Sequence, residues 1–115
     1  MDNEQLNRSI DNADAQMRKG VLEFAVLLVI AKRKAYTNDI ISSLREAELT
    51  VVEGTVYPLL SRLKNAGILD YSWEESNSGP PRKYYTLTIK GRLLLSGYEK
   101  QWQALSQSIS NLLNK

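Results

Sequence analysis

Between Val21 and Ile30 the chain places apolar residues on nearly every side of a single helix, and it has only 115 residues with which to cover them. The stretch from Met17 to about Lys34, MRKGVLEFAVLLVIAKRK, reads as that helix, with Val21, Leu22, Phe24, Val26, Leu28, Val29 and Ile30 wrapping most of its circumference. A helix apolar all round must be covered on more than one side. In so small a protein the second cover is expected from another subunit. A membrane is not the cover, because the longest apolar run, Phe24 to Ala31, is far short of the roughly 18–20 residues that span a bilayer.

The remaining segments follow in a readable order. Residues 1–16 offer only Leu6 and Ile10 as regular apolar positions and are expected to be flexible or weakly helical. A second helix is expected from Thr37 or Asn38 to about Ala47, with Thr37 as its cap and Ile40, Ile41 and Leu44 facing inward. The third starts between Thr50 and Glu53, where Thr50 and Glu53 have capping-box spacing. Val56, Leu59, Leu60 and Leu63 make its inner stripe, Gly67 supplies a left-handed C-cap, and Pro58 removes one of its hydrogen bonds. Alternation from Ile68 to Glu74 puts Leu69, Tyr71 and Trp73 on one strand face, Ser76–Pro81 reads as a turn, and Arg82–Leu87 returns as the second strand. Thr88 caps a final helix running nearly to Lys115. In it Leu95, Tyr98, Trp102, Leu105, Ile109 and Leu112 repeat at spacings of three and four, a heptad seam made to meet another helix.

Composition narrows the function. The chain has no cysteine and no histidine, so thiolate zinc sites, disulfides, Cys nucleophiles and the commonest general base are all excluded, and no cofactor is expected. A cysteine-free chain with a polar N-terminus suits the cytoplasm. Glu74-Glu75 is the single adjacent carboxylate pair, and strand alternation sends its members to opposite faces, so an enzyme is not expected. Net charge is +2, but Asp2, Glu4, Asp11 and Asp14 against Arg8 give residues 1–16 a local −3, which leaves +5 on the rest. That is compatible with nucleic acid without arguing for it.

Helix, helix, helix, hairpin, long helix is the order of a winged helix-turn-helix: an α+β, mainly helical fold with residues 17–87 as the DNA-binding domain and 88–115 as a C-terminal dimerisation helix. With its stripe facing in, the third helix turns Gly54, Pro58, Ser61, Arg62 and Asn65 outward, and Thr55 and Tyr57 flank them. These groups suit base edges and phosphates. At the expected hairpin tip, Gly79-Pro-Pro-Arg-Lys83 presents Arg82 and Lys83 on a stiffened turn. A basic pair there also serves to protect a strand edge, so the two features weigh together rather than singly.

Gly54-Thr-Val-Tyr-Pro-Leu-Leu-Ser-Arg-Leu63, Gly67, Gly79-Pro-Pro-Arg-Lys-Tyr-Tyr85 and Leu87-Thr88-x-x-Gly91 together strongly resemble the PadR-like transcriptional regulators. Arg18-Lys-Gly-Val-Leu-Glu23 and Tyr36 are similar too, and the resemblance covers about residues 17–113. A single C-terminal helix resembles the short branch of the family. The resemblance implies a homodimeric repressor on a palindromic operator, often relieved by small aromatic molecules, and adds Lys19, Tyr36 and Thr37 to the DNA-facing set. Val52 departs from the polar cap common in the family. Trp102, with Tyr98 nearby, is the candidate to stack a planar aromatic effector between subunits, against the plainer reading that it packs the interface. The alternative function is a winged-helix protein-interaction module without DNA, which Arg62, Arg82 and Lys83 disfavour.

Overall fold

Helix α1 runs without a break over Asn3–Lys32 in the computed structural model, which describes residues 1–115. Its start therefore lies well before Met17. Local chemistry accounts for the extension: Asp2 accepts from the Gln5 amide at 2.8 Å, Gln5 Oε1 accepts from the Asp2 amide at 3.0 Å, and Glu4–Arg8 and Asp14–Arg18 pair one turn apart. The first twenty residues are all exposed, so no core contact marks them in the apolar pattern.

Helix α2 spans Thr37–Glu46 and buries Ile40, Ile41 and Leu44. Tyr36, not Thr37, stands at the N-cap, its amide donating to Asp39 Oδ2 at 3.3 Å, and Thr37 is buried in the first turn. Helix α3, Glu53–Asn65, buries Val56, Leu60 and Leu63. The Thr50 capping box is not formed; Val52 is the N-cap and makes no side-chain cap bond. Both helices end alike. The Leu49 amide reaches back to the Leu44 carbonyl (2.8 Å) and the Ile68 amide to that of Leu63 (2.9 Å), with Glu48 at φ 62° and Gly67 at φ 77° in the left-handed position.

Strands β1 (Leu69–Ser76) and β2 (Gly79–Leu87) pair antiparallel, Leu69 opposite Leu87 and Trp73 opposite Lys83, with an irregularity between Glu74 and Ser76. The turn is just Asn77-Ser78, so Gly79, Pro80 and Pro81 belong to the strand. Pro80 and Pro81 fall at the irregularity, between the Glu74–Arg82 and Ser76–Gly79 pairs, where the ladder asks no donor of them. Arg82 and Lys83 thus sit on the strand body rather than at the tip. Leu69, Tyr71 and Trp73 do share a face, Tyr71 and Trp73 meeting edge-on at 6.4 Å, but only Leu69 reaches the core and Trp73 is 63 % exposed. Ala35, between α1 and α2, exchanges two backbone hydrogen bonds with Tyr85 and ties the hairpin to the helices.

Helix α4, Ile89–Leu113, begins as expected at Thr88, whose Oγ1 accepts from the Gly91 amide at 3.0 Å and donates to the Gly67 carbonyl at 2.6 Å. A Cβ on Gly91 would stand 2.2 Å from the Ile68 carbonyl oxygen, so this turn admits nothing larger. The core gathers Val26 and Leu27 of α1, Ile40 and Leu44 of α2, Val56, Leu60 and Leu63 of α3, and Leu69 of β1, with α4 packed back on α1.

Candidate nucleic-acid interface

Three elements converge on one groove of about 410 Å³: Tyr36, Thr37 and Asn38 at the start of α2, Tyr57 and Ser61 on α3, and Trp73, Arg82, Lys83 and Tyr85 on the hairpin. The cations around it are held by aromatic faces rather than acids. The Arg82 guanidinium lies 4.5 Å from the Tyr36 ring centre, and Lys83 Nζ lies 4.3 Å from that of Tyr71 and 5.3 Å from that of Trp73. Such contacts orient a long side chain while leaving its full charge available to an anion. The acid opposite Arg82, Glu74, is engaged elsewhere, by Lys34 Nζ at 2.7 Å from both of its oxygens. Arg82 and Lys83 therefore face the groove without salt-bridge partners.

The other flank of α3 meets a different surface. Arg62 Nη2 pairs at 2.5 Å with Oε1 of Glu23 on α1, and Oε2 of the same carboxylate accepts from the Tyr98 hydroxyl of α4. Burial pushes the Glu23 carboxyl up, but the hydrogen bonds from Tyr98 and Arg62 and the Arg62 charge outweigh it, so it sits below its ordinary 4.5. Tyr98 moves the opposite way, above 10.0, chiefly because its hydroxyl donates to Glu23 and also because it is partly buried. Beside this network is a pocket of about 610 Å³ lined by Phe24, Leu59, Tyr98, Trp102 and Leu105 among others. Phe24 meets Tyr98 edge-on at 6.3 Å and Trp102 at a tilt at 6.4 Å.

The expected DNA-facing residues thus divide. Tyr36, Thr37, Tyr57, Ser61, Arg82 and Lys83 share the groove beside the hairpin, although Thr37 exposes only 8 % of its surface and can offer little. Pro58 and Asn65 lie on the exposed outer edge of α3. Lys19, Thr55 and Arg62 line the α1–α4 pocket instead, and Arg62 is not the free outward cation its helical position suggests. Of the seam, Leu95 is buried in its own chain's core and Tyr98 is half-buried there, which removes Leu95 from any free surface. Trp102, Leu105, Ile109 and Leu112 remain exposed. Sequence reasoning missed Trp73 and Glu23 as surface and network residues. A lone carboxylate between Leu22 and Phe24 on an apolar helix was the available signal for Glu23, since buried acids need partners. The alternation of β1 gave the face of Trp73 but not that this part of the hairpin extends beyond the core.

A helix flanked by the start of its predecessor and by a two-stranded wing with unpaired cations defines the class: a winged-helix DNA-binding protein. Residues 26–96 match the model of the Transcriptional regulator PadR-like family. The chain is 51% identical to a PadR-like transcription factor from Bacteroides fragilis, over 88% of this chain and 98% of that one, with a TM-score of 0.73. A PadR family regulator from Eggerthella lenta is 30% identical over 96% of both chains with a TM-score of 0.86. A PadR-like regulator from Bacillus cereus is 34% identical over 87% and 98%, with a TM-score of 0.79. The chain belongs to the PadR-like family of transcriptional regulators.

Proposed function

We propose that the chain is a cytoplasmic homodimeric repressor that binds a palindromic operator and is released by a planar aromatic effector. The observation that carries the DNA reading is the groove in which Tyr57 and Ser61 of α3 stand beside Arg82 and Lys83, cations without acidic partners. In this reading residues 17–87 read DNA: Ser61, Pro58, Asn65 and Tyr57 face base edges, Arg82 and Lys83 meet phosphates, Tyr36 and Thr37 flank them, and Lys19, Thr55 and Arg62 approach the duplex from the α1 side of α3. Residues 88–115 hold the dimer through Tyr98, Trp102, Leu105, Ile109 and Leu112, a role supported by the exposure of the last four in the single chain. Residues 1–16 extend α1 beyond the DNA-binding domain. The effector reading is supported by the pocket beside Trp102, whose volume is in the range of small-molecule sites. No helix is long and apolar enough to cross a membrane.

Selection of bound sequences from random duplex DNA at a stated salt concentration tests the reading. A palindromic consensus is expected; a chain that retains no duplex above background overturns it. For the effector, titration with phenolic compounds or dyes should quench Trp102 in a Trp73→Phe background. Quenching that persists undiminished after Trp102→Ala removes that site.

A further inference from the structure

The three side chains Arg62, Glu23 and Tyr98 come from α3, α1 and α4 respectively, so one carboxylate links the DNA-facing helix to the helix bearing the exposed seam. Its two ends are unequal. Glu23 is 24 % exposed, one oxygen bound by the Tyr98 hydroxyl, whereas Arg62 is 61 % exposed. The acid is the more enclosed partner and the guanidinium the more accessible one. Arg62 also stands beside the outermost positions of α3, two of them Pro58 and Asn65, so its reach covers both Glu23 and anything docked against that edge.

We propose that Glu23 is a positioning residue that competes with DNA for Arg62: it holds the guanidinium against α1 in the free protein and yields it to a phosphate in the complex. Glu23 gives the guanidinium one oxygen, its other being taken by Tyr98, whereas a phosphate can offer two, so the exchange is chemically open to DNA. DNA binding then carries the cost of breaking the pair. Because Tyr98 orients the carboxylate, a displacement of α4 alters that cost at α3 some distance away. The inference rests on the DNA-binding reading.

The test measures duplex affinity at fixed salt for the full chain and for Glu23→Gln, Arg62→Gln and the double variant. Loss of the competitor should tighten Glu23→Gln binding about two- to fivefold, the scale of a partly exposed ion pair. That gain must vanish in the Arg62→Gln background. A wild-type chain that binds no duplex refutes the functional reading itself. If the wild type binds but Glu23→Gln binds equally or more weakly, Glu23 is only a strut and the inference fails. A gain that survives Arg62→Gln is a general charge effect and also overturns it. One arm needs no substitution: the Arg62 Nε resonance of the wild type should shift on saturation with duplex, and an unmoved resonance contradicts the exchange.

Discussion

Gly91 shows how one atom governs the junction between hairpin and final helix. A methyl group there meets the Ile68 backbone carbonyl at 2.2 Å, and backbone cannot swing aside as a side chain does. Gly91→Ala should destabilise by about 1–3 kcal/mol, the cost of overpacking, although alanine is the better helix former. Urea unfolding measures it, and an unchanged midpoint would show that the turn relaxes freely. Two turns further along the same face of α4, Glu23 acts through charge by way of Tyr98. Its folded pKa is lowered, so its contribution is fully present above the ordinary 4.5 and is lost as pH falls through the lower folded value. The pKa of Tyr98 is raised, so its contribution is complete below 10.0 and is lost as pH rises through the higher folded value. Stability should therefore fall at both ends of the pH range, and Glu23→Gln should flatten both falls. An acid limb of unchanged steepness in that variant would assign the loss to other carboxylates.

At the scale of elements, the helices and the hairpin were legible, and the position of the hairpin's turn was not. Ile40, Ile41, Leu44, Val56, Leu60 and Leu63 are buried at helical spacing because each helix shows one face to a shared core. The capped ends at Gly67 and Thr88 were equally legible, since both rest on local hydrogen bonds. Residues 1–16, expected to be flexible or weakly helical, join α1 through capping and ion pairs, which leave no apolar signature. In the hairpin Gly79-Pro-Pro81 has turn composition, yet the ribbon's register fixes Asn77-Ser78 as the turn. The consequence is functional: Lys83 is braced between Tyr71 and Trp73 on the strand body rather than extended from a tip. Lys83→Ala should weaken binding to all duplexes alike and reduce the salt slope by about one unit. Ser61→Ala should instead alter preference among sequences. Salt titrations on selected and scrambled duplexes separate the two, and equal losses from both substitutions on both duplexes would abolish this division of labour.

The molecule is long, 54 × 32 × 23 Å, and its apolar surface is unevenly spent. One seam on α4 does two jobs: Leu95 and Tyr98 pack within the chain, while Trp102, Leu105, Ile109 and Leu112 are 46–66 % exposed. A heptad pattern cannot distinguish a helix of the same chain from a helix of another, which is why the sequence merges the two. The exposed part continues beside α1 into a groove of about 800 Å³ that includes Met17, Val21, Trp102, Leu105 and Ile109. An apolar strip of this extent on a small protein is the mark of an interaction surface. Covered by a second copy across a two-fold axis, it would bury the side of α1 that the single chain leaves half-exposed. The replacement of Leu105 and Ile109 by Asp places two charges on each partner in that strip, where each would lie desolvated and opposed by its symmetry mate. Analytical ultracentrifugation should then find monomers, with the circular dichroism of the helices retained because neither residue belongs to the buried core. Duplex binding should persist weakly but lose its preference for palindromes, since two half-sites ~34 Å apart are held in phase only by a joined pair of α3 helices. A variant that remains dimeric at micromolar concentration would locate the two-fold contact elsewhere and leave the exposed seam for another partner.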